Sequence, residues 1–328
     1  MDEQAPQGAY RARRHVPVLL EEAMQYLRIL PGGTYVDATL GLGGHSTAIA
    51  RLLGPEGNLI AFDRDPQVIE SAEARFAALQ EELQEQMPRI TIHAEAFAEL
   101  ASRVEPQSID GILADFGVSS LQLDTAERGF SFQADAPLDM RMDTRSGATA
   151  EQVVNQLNEE DLANLIYEFG EERRSRRIAR AIVRARPVTT TAQLAKIVAG
   201  NAPTIKSDRI HPATRVFQAL RIYVNAELEQ ISSLMKQAPQ LLRPGGRMVT
   251  ISFHSLEDRI VKDAFRAGKT DNIWHVLTPK PVTATEEEIR NNPRARSAKL
   301  RAAERMEPGK VKEKPGGKQE KILRRSWA

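Results

Sequence analysis

Two acids and a glycine-rich turn stand at spacings that suit a nucleotide-like cofactor. The run Thr34-Tyr35-Val36-Asp37-Ala38-Thr39-Leu40-Gly41-Leu42-Gly43-Gly44-His45 reads as a short apolar strand entering a turn, with a helix behind it from Ser46 to Leu53. Glycine accepts positive φ and has no Cβ, so the backbone can turn sharply and approach a ligand. Amides at the following helix N-terminus are ready donors. A second apolar run, Asn58–Phe62, ends at Asp63. That carboxylate lies about 20 residues past the glycines, where such folds accept hydrogen bonds from ribose hydroxyls. Asp115 follows a further apolar run, Gly111–Ala114, in the same way.

The glycine pattern narrows the cofactor. A dinucleotide site would show G-x-G-x-x-G, but position 46 is serine, which argues against a nicotinamide dehydrogenase. Read as acidic-x-G-x-G-x-G, the match is Asp37, Thr39, Gly41, Gly43. This resembles the first motif of S-adenosylmethionine (SAM)-dependent methyltransferases, with Thr39 in place of the first glycine.

Composition excludes several classes. The 328 residues allow two domains and a large core. No run approaches the ~18 apolar residues of a membrane span. Met1 to Arg14 is polar and lacks a signal-peptide core, so a cytoplasmic protein is expected. Cysteine is absent, which removes disulfides, thiolate zinc sites and thiol nucleophiles. No metal site is expected. Net charge is +1, yet the basic residues cluster, and clustering matters more than the total for a nucleic-acid partner.

Strand and helix signals alternate around the candidate site. A helix over His15–Leu30 ends at Pro31-Gly32-Gly33. Strands are expected at Tyr35–Ala38, Leu59–Phe62, Ile90–His93 and Gly111–Ala114, with a long helix from about Pro66 to Gln86. Alternation of this kind argues for a parallel sheet with right-handed crossovers. From Gln122 to His211 helical periodicity dominates, over Ala150–Phe169, Arg173–Arg186 and Thr191–Ala199. A helix over Thr214–Gln237, the turn Arg243-Pro244-Gly245-Gly246 and a strand Arg247–Ser252 resume the sheet pattern. The expected fold is therefore α/β, a Rossmann-like sheet over 15–121 and 212–305 with an all-helical domain inserted at 122–211. An insertion there overhangs the carboxyl ends of the strands, where ligands of such sheets bind. Residues 1–14 read as a flexible arm and 306–328 as a basic, disordered tail.

Nine segments in order carry a specific resemblance. They are His15–Leu20, Gly43–Ser46, Asp63–Pro66, Asp115–Ser120, Glu127–Phe132, Pro137–Met142, His211–Arg215, Ser252–Arg259 and Asn292–Ser297. Together they resemble the bacterial small-subunit ribosomal RNA cytosine-N4 methyltransferases, the RsmH (MraW) family, over roughly residues 15 to 305. The resemblance implies a class I SAM-dependent methyltransferase fold and methylation of the exocyclic amine of a decoding-centre cytosine in 16S ribosomal RNA. It implies a small ribosomal subunit or late precursor as partner, and leaves the oligomeric state open, a homodimer included.

By the same resemblance, SAM contacts fall on Gly43, Gly44, His45, Asp63, Phe97, Asp115 and Gln122. Asp63 suits the ribose hydroxyls, Phe97 the adenine face, and Gln122 either the cofactor or its own loop. Taken without the family, His45 reads as a helix cap or turn filler and Phe97 as core. Asp63 and Asp115 stand out on position alone.

The chemistry is an in-line displacement at an activated methyl group. SAM supplies the reactivity, and the protein supplies positioning and electrostatics. Cytosine N4 is a poor nucleophile because its lone pair is delocalised into the ring. A carboxylate accepting an N–H bond raises its electron density. Asp115 is the first choice for that role, with Asp139 and His254 behind it. DNA amino-methyltransferases carry Asp/Asn-Pro-Pro-aromatic here, and this chain has Asp115-Phe116-Gly117-Val118. Lack of cysteine excludes the covalent route to cytosine C5, while an exocyclic amine needs no covalent intermediate. A non-catalytic assembly factor remains the other reading.

RNA contact is expected from the run Arg173, Arg174, Arg176, Arg177, Arg180, Arg184 and Arg186, because the guanidinium fork suits phosphate. Glu171 and Glu172 open that helix, and a solvated face is the plainer alternative. Arg141, Arg215, Arg294 and Arg296 are candidates for the same groove, with Phe130, Phe132 or Trp274 for base stacking.

Overall fold

The computed structural model describes residues 17–202 and 211–307. Residues 1–16, which include the expected arm at 1–14, and the tail from residue 308 lie outside the described residues; the helix expected over His15–Leu30 runs only from Leu20 to Leu27, between Leu19 and Arg28, both left-handed at φ 52°.

Strands β1 (Thr34–Asp37), β2 (Asn58–Phe62), β3 (Arg89–His93), β4 (Ile109–Asp115) and β5 (Leu242–Ser252) are parallel. Two more, β6 (Trp274–Val276) and β7 (Lys299–Arg305), complete a seven-stranded sheet of order β3-β2-β1-β4-β5-β7-β6, with β7 antiparallel to both neighbours. All five strand expectations fall on these elements. Chain reversal at β1 sends β2 to one side and β4 to the other, which opens a crevice at the carboxyl edge.

Side-chain alternation along each strand builds two cores. Tyr35 faces helices α1 (Leu20–Leu27), α2 (Gly44–Leu53) and α3 (Pro66–Leu83), together with Leu27, Ile49 and Phe76. Val36 faces the other side, with Leu100 of α4 (Leu100–Arg103), Leu234 of α11 (Glu227–Leu241) and Phe265 of α12 (Ser255–Thr270). Trp274 belongs to this second core, at 5.5 Å from Phe265 and 2% exposed, so it is no stacking platform for RNA.

After β4 the chain leaves the sheet through the short helix α5 (Ser120–Asp124). Helices α6 (Ala150–Gln156), α7 (Glu159–Gly170), α8 (Ser175–Arg184), α9 (Thr191–Asn201) and α10 (Ala213–Asn225) then share a third core, including Val154, Ile166, Ile178, Leu194 and Leu220. Phe130 lies in this core and Phe132 packs against it, 5.0 Å from Phe217. The helix expected over Ala150–Phe169 is two, because Asn158 leaves the helical conformation and caps α7 by accepting from the Asp161 N–H. The helix expected over Thr214–Gln237 is also two. It breaks at Ala226, whose φ of 48° is left-handed. The first half packs into the helical core and the second onto the sheet, so the chain returns to the sheet at Ala226 rather than at residue 212.

Three polar side chains join the layers. Arg128, 6% exposed, donates to the carbonyls of Arg141 and Met142, to Gln67, and lies 2.7 Å from Asp65 of the α3 cap. Asn225 donates to the Met140 carbonyl and accepts from the Met142 N–H. Arg64 donates to the Asn225 carbonyl. The last helix, α13 (Glu286–Asn291), follows β6. No helix among the described residues is long and apolar enough to cross a membrane.

Candidate active site

The carboxyl ends of β1, β2 and β4 open on a cavity of about 400 Å³, within the ~300–1,000 Å³ of small-molecule sites. The turns of the sheet form its floor. Met142, Arg221, Gln230, Phe253, Arg294 and Ser297 carry the walls upward toward the helical layer.

Burial of Asp37 shapes the floor. Its carboxylate accepts from the Thr39 N–H at 3.1 Å and the Ser46 hydroxyl at 2.6 Å, which closes the turn onto the first residues of α2. Burial pushes this carboxyl up to about 6. Thr39, where the motif has glycine, uses its hydroxyl to accept the Asp115 N–H at 2.6 Å, so the two turns brace each other.

The glycines divide their work. Gly41, at φ 50°, donates its N–H to Asp63 at 3.0 Å and lines the cavity. Gly44 also lines it, and a Cβ there would meet Pro17 at 2.4 Å, so its bareness accommodates the chain entering α1. Gly43 is not among the cavity residues. It takes φ 73° to start α2, and a Cβ would face Ala72, Arg75 and Phe76 of α3. Its bareness therefore serves the turn that presents Gly41, Leu42 and Gly44 to the cavity.

Asp63 and Asp115 both line the cavity. The two oxygens of Asp63 accept from the Asp65 and Gly41 N–H groups at 3.0 Å each. Each oxygen keeps a second lone-pair site, enough for a pair of ribose hydroxyls. Burial pushes this carboxyl up to about 6 despite those two bonds. Asp115 is raised well above the carboxylate range, first by burial and then by the nearby Asp37 and Glu257 charges. Its Oδ1 is sealed from solvent without a hydrogen-bond partner. Its Oδ2 stands 3.6 Å from Nδ1 of His45, whose Nε2 is 3.0 Å from the Val18 carbonyl.

Phe97 is half-buried at the cavity edge, 6.0 Å from Phe116. Gln122 lines the cavity but is 3% exposed; its Oε1 accepts the Ser119 N–H and its Nε2 donates to Asp65 at 2.7 Å. Of its two expected roles, the amide serves the loop.

The weaker base candidates are occupied elsewhere. Asp139 holds Arg141 through both oxygens, at 2.8 and 2.9 Å, and that pairing also binds up Arg141. His254 caps α12 by accepting the Glu257 N–H. Beside it, Glu227, His254 and Glu257 bring ligand-type atoms within 4.8 Å of one another. Arg221 already neutralises this cluster, donating to both oxygens of Glu227 at 2.8 Å and lying 3.9 Å from Glu257. Burial raises Glu257, but His254, Arg221 and the Phe253 N–H outweigh it and hold the carboxyl below its ordinary value.

The arginines sort by exposure. Arg173, Arg176, Arg177, Arg180 and Arg184 are exposed along α8 and its approach, with Arg180 paired to Glu159. Arg174 is half-buried at the start of that helix. Arg186 instead donates to the Val154 and Leu157 carbonyls and is part of the scaffold. Arg215 is half-exposed and paired to Glu172 at 3.3 Å. Arg294 reaches the cavity rim, where it contacts Ser120 and pairs with Asp124 at 2.7 Å. Arg296 is exposed and does not line the cavity. Sequence reasoning assigned no role to Arg128, Asp65 or Arg221. The first two lie inside motif segments, but nothing in their spacing tells a buried clamp from a ligand.

The cavity chemistry suits a cationic, nucleoside-bearing ligand. Glycine turns permit close backbone approach, one carboxylate can meet vicinal hydroxyls, and another is partly exposed on the wall.

Comparison with known proteins agrees. The model of the MraW methylase family matches residues 12–306. "Ribosomal RNA small subunit methyltransferase H" of Acidobacterium capsulatum is 68% identical over 292 residues, covering 89% of this chain and 98% of the relative. The protein of the same name from Koribacter versatilis is 56% identical, covering 93% and 98%. That of a Cyanothece strain is 50% identical, covering 89% and 95%.

Proposed function

The chain belongs to the MraW methylase family, and we propose that it methylates the exocyclic N4 amine of a decoding-centre cytosine in small-subunit ribosomal RNA. It is a SAM-dependent ribosomal RNA methyltransferase. The choice of amine and of base is the reading that the site supports best.

One observation carries it. Asp115 stands at the carboxyl end of β4 on the cavity wall, with one oxygen buried and about a quarter (24%) of its side chain still exposed beside His45. An exocyclic amine can donate to the exposed part of that carboxylate. By accepting an amine N–H, the carboxylate orients the nitrogen and stabilises its developing positive charge. Bound SAM supplies an activated methyl group on a sulfonium. Asp63 orients the ribose, Phe97 offers an aromatic face to the adenine, and the Gly41–Gly44 turn admits the methionine end. Thr39 holds the Asp115 backbone in place, so the carboxylate does not reorganise as charge develops.

RNA enters from the helical side. The exposed arginines of α8 meet phosphates, and Arg294 marks the rim where a base passes into the cavity. The substrate is a small subunit or late precursor, which places the reaction in the cytoplasm.

The test is methyl transfer from labelled SAM to small subunits lacking the modification, with free ribosomal RNA and DNA in parallel and nucleoside analysis of the product. Label in N4-methylcytidine from subunits is expected. SAM binding without transfer to active control subunits would favour an assembly role, and label in another nucleoside would overturn the proposed atom.

A further inference from the structure

We infer that His45 and Asp115 form a dyad that shares one proton when no cation lies beside it, releases that proton when SAM binds, and takes the amine proton in its place. The last step rests on Asp115 as the group that meets the amine; the first two do not.

The orientation of the imidazole carries the argument. His45 sits in the first turn of α2 and is 6% exposed. Its Nε2 is 3.0 Å from the Val18 carbonyl oxygen. A carbonyl only accepts, so Nε2 carries the hydrogen. In the neutral ring Nδ1 is then a lone pair, and it stands 3.6 Å from Asp115 Oδ2. A lone pair facing an ionised carboxylate is repulsive. One proton added to the pair turns that contact into an attraction, whichever group holds it.

The acids that face the pair among the described residues favour its protonated form. Asp115 faces Asp37 from β1 and Glu257 from α12, both acids, and burial adds to their effect. The arginines that line the cavity are held by other partners: Arg221 by Glu227 and Glu257, Arg294 by Asp124, and Arg64 by the Asn225 carbonyl. A positive charge entering the cavity reverses this balance, because it stabilises the ionised carboxylate. The dyad then becomes a base at the moment a methyl donor is present. On transfer the N–CH3 bond forms and the S–CH3 bond breaks with its electron pair left on sulfur. The amine proton passes to Asp115 and is shared with His45. The ligand is now uncharged, so the dyad keeps the proton until the cleft opens to solvent.

Linkage gives a readout without RNA or catalysis. Calorimetry of SAM and S-adenosylhomocysteine binding, in buffers of different ionisation heat, should show about one more proton released with SAM than with the thioether product. Below the dyad's titration the ratio of SAM affinity to product affinity should rise up to about tenfold per pH unit. Asp63→Asn should keep the difference, whereas His45→Gln and Asp115→Asn should abolish it. Nitrogen-15 spectra of labelled histidine in the wild-type protein provide a second measure, with His45 expected in the neutral Nε2–H form when SAM is bound. Equal proton counts for the two ligands, or a difference retained in His45→Gln, would overturn the dyad. If Asp115→Asn loses the proton difference but keeps full methyl transfer, the dyad stands and the catalytic assignment of Asp115 falls.

Discussion

The acids of the sheet edge and the arginines of the helical layer border one cleft, but they are held in opposite ways. Asp37 and Asp63 each accept two hydrogen bonds from the turns and helix start at the sheet edge, and Asp115 is fixed through its backbone by Thr39. Most α8 arginines extend into solvent. A cofactor of one shape rewards a rigid, desolvated cradle, because fixed dipoles need not reorganise. A phosphate chain rewards mobile cations that release counterions. Burial therefore separates roles more sharply than residue type does: the same guanidinium is a clamp at Arg128 and a solvated charge at Arg177.

The largest test of this contrast is Asp115→Asn. Single-turnover methyl transfer should fall about 10²–10⁴-fold, while RNA binding measured by filter retention changes little. Parallel losses in both would show that the residue mainly holds structure. Next is Arg128→Ala, which strips the partners from buried Asp65 and from two carbonyls. Denaturant unfolding should show a loss of about 3–5 kcal/mol; a loss below about 1 kcal/mol would class Arg128 with the surface charges.

Acid–base behaviour gives a smaller effect. Asp37 is raised to about 6 in the folded protein, so the native state binds a proton more tightly than the unfolded chain. Its contribution is fully present below the unfolded value of about 3.9 and is lost as pH rises through about 6, on the order of 2–3 kcal/mol. Stability measured across that window should fall with pH, and Asp37→Asn should make the fall shallower while Asp63 and Asp115 keep the rest. The smallest effect belongs to the exposed side. Replacing Arg176, Arg177 and Arg180 by Gln should leave SAM affinity unchanged and lower the salt slope of RNA binding by about 0.7–0.9 for each phosphate that is no longer neutralised. An unchanged slope would make that helix face a solvated surface only.

The sheet was legible where strands are apolar runs that end in an acid, as at Phe62-Asp63 and Ala114-Asp115. It was not legible at β7, Lys299–Arg305, whose Lys-Leu-Arg-Ala-Ala-Glu-Arg favours a helix on propensity. Tertiary pairing overrides it: Ala302 and Ala303 are fully buried, and Arg301 is held by Asp258. The break at Ala226 carries no Gly or Pro signal, because Asn225 and its partners impose it from the neighbouring loop. At the site, strand-end acids were readable by position. Gln122 was not readable in the same way, since a residue that holds a ligand loop and one that touches the ligand leave the same mark in a sequence.

The late position of β7 also bears on synthesis. β5 is the longest strand and pairs with β4 on one side, but its other neighbour is encoded after α12, β6 and α13. A nascent chain that has reached Ser252 therefore carries a bare, apolar strand edge, the kind of edge that templates pairing with other chains. Its protection waits for Lys299–Arg305 to emerge, so premature termination within that interval should yield aggregates rather than a smaller working enzyme.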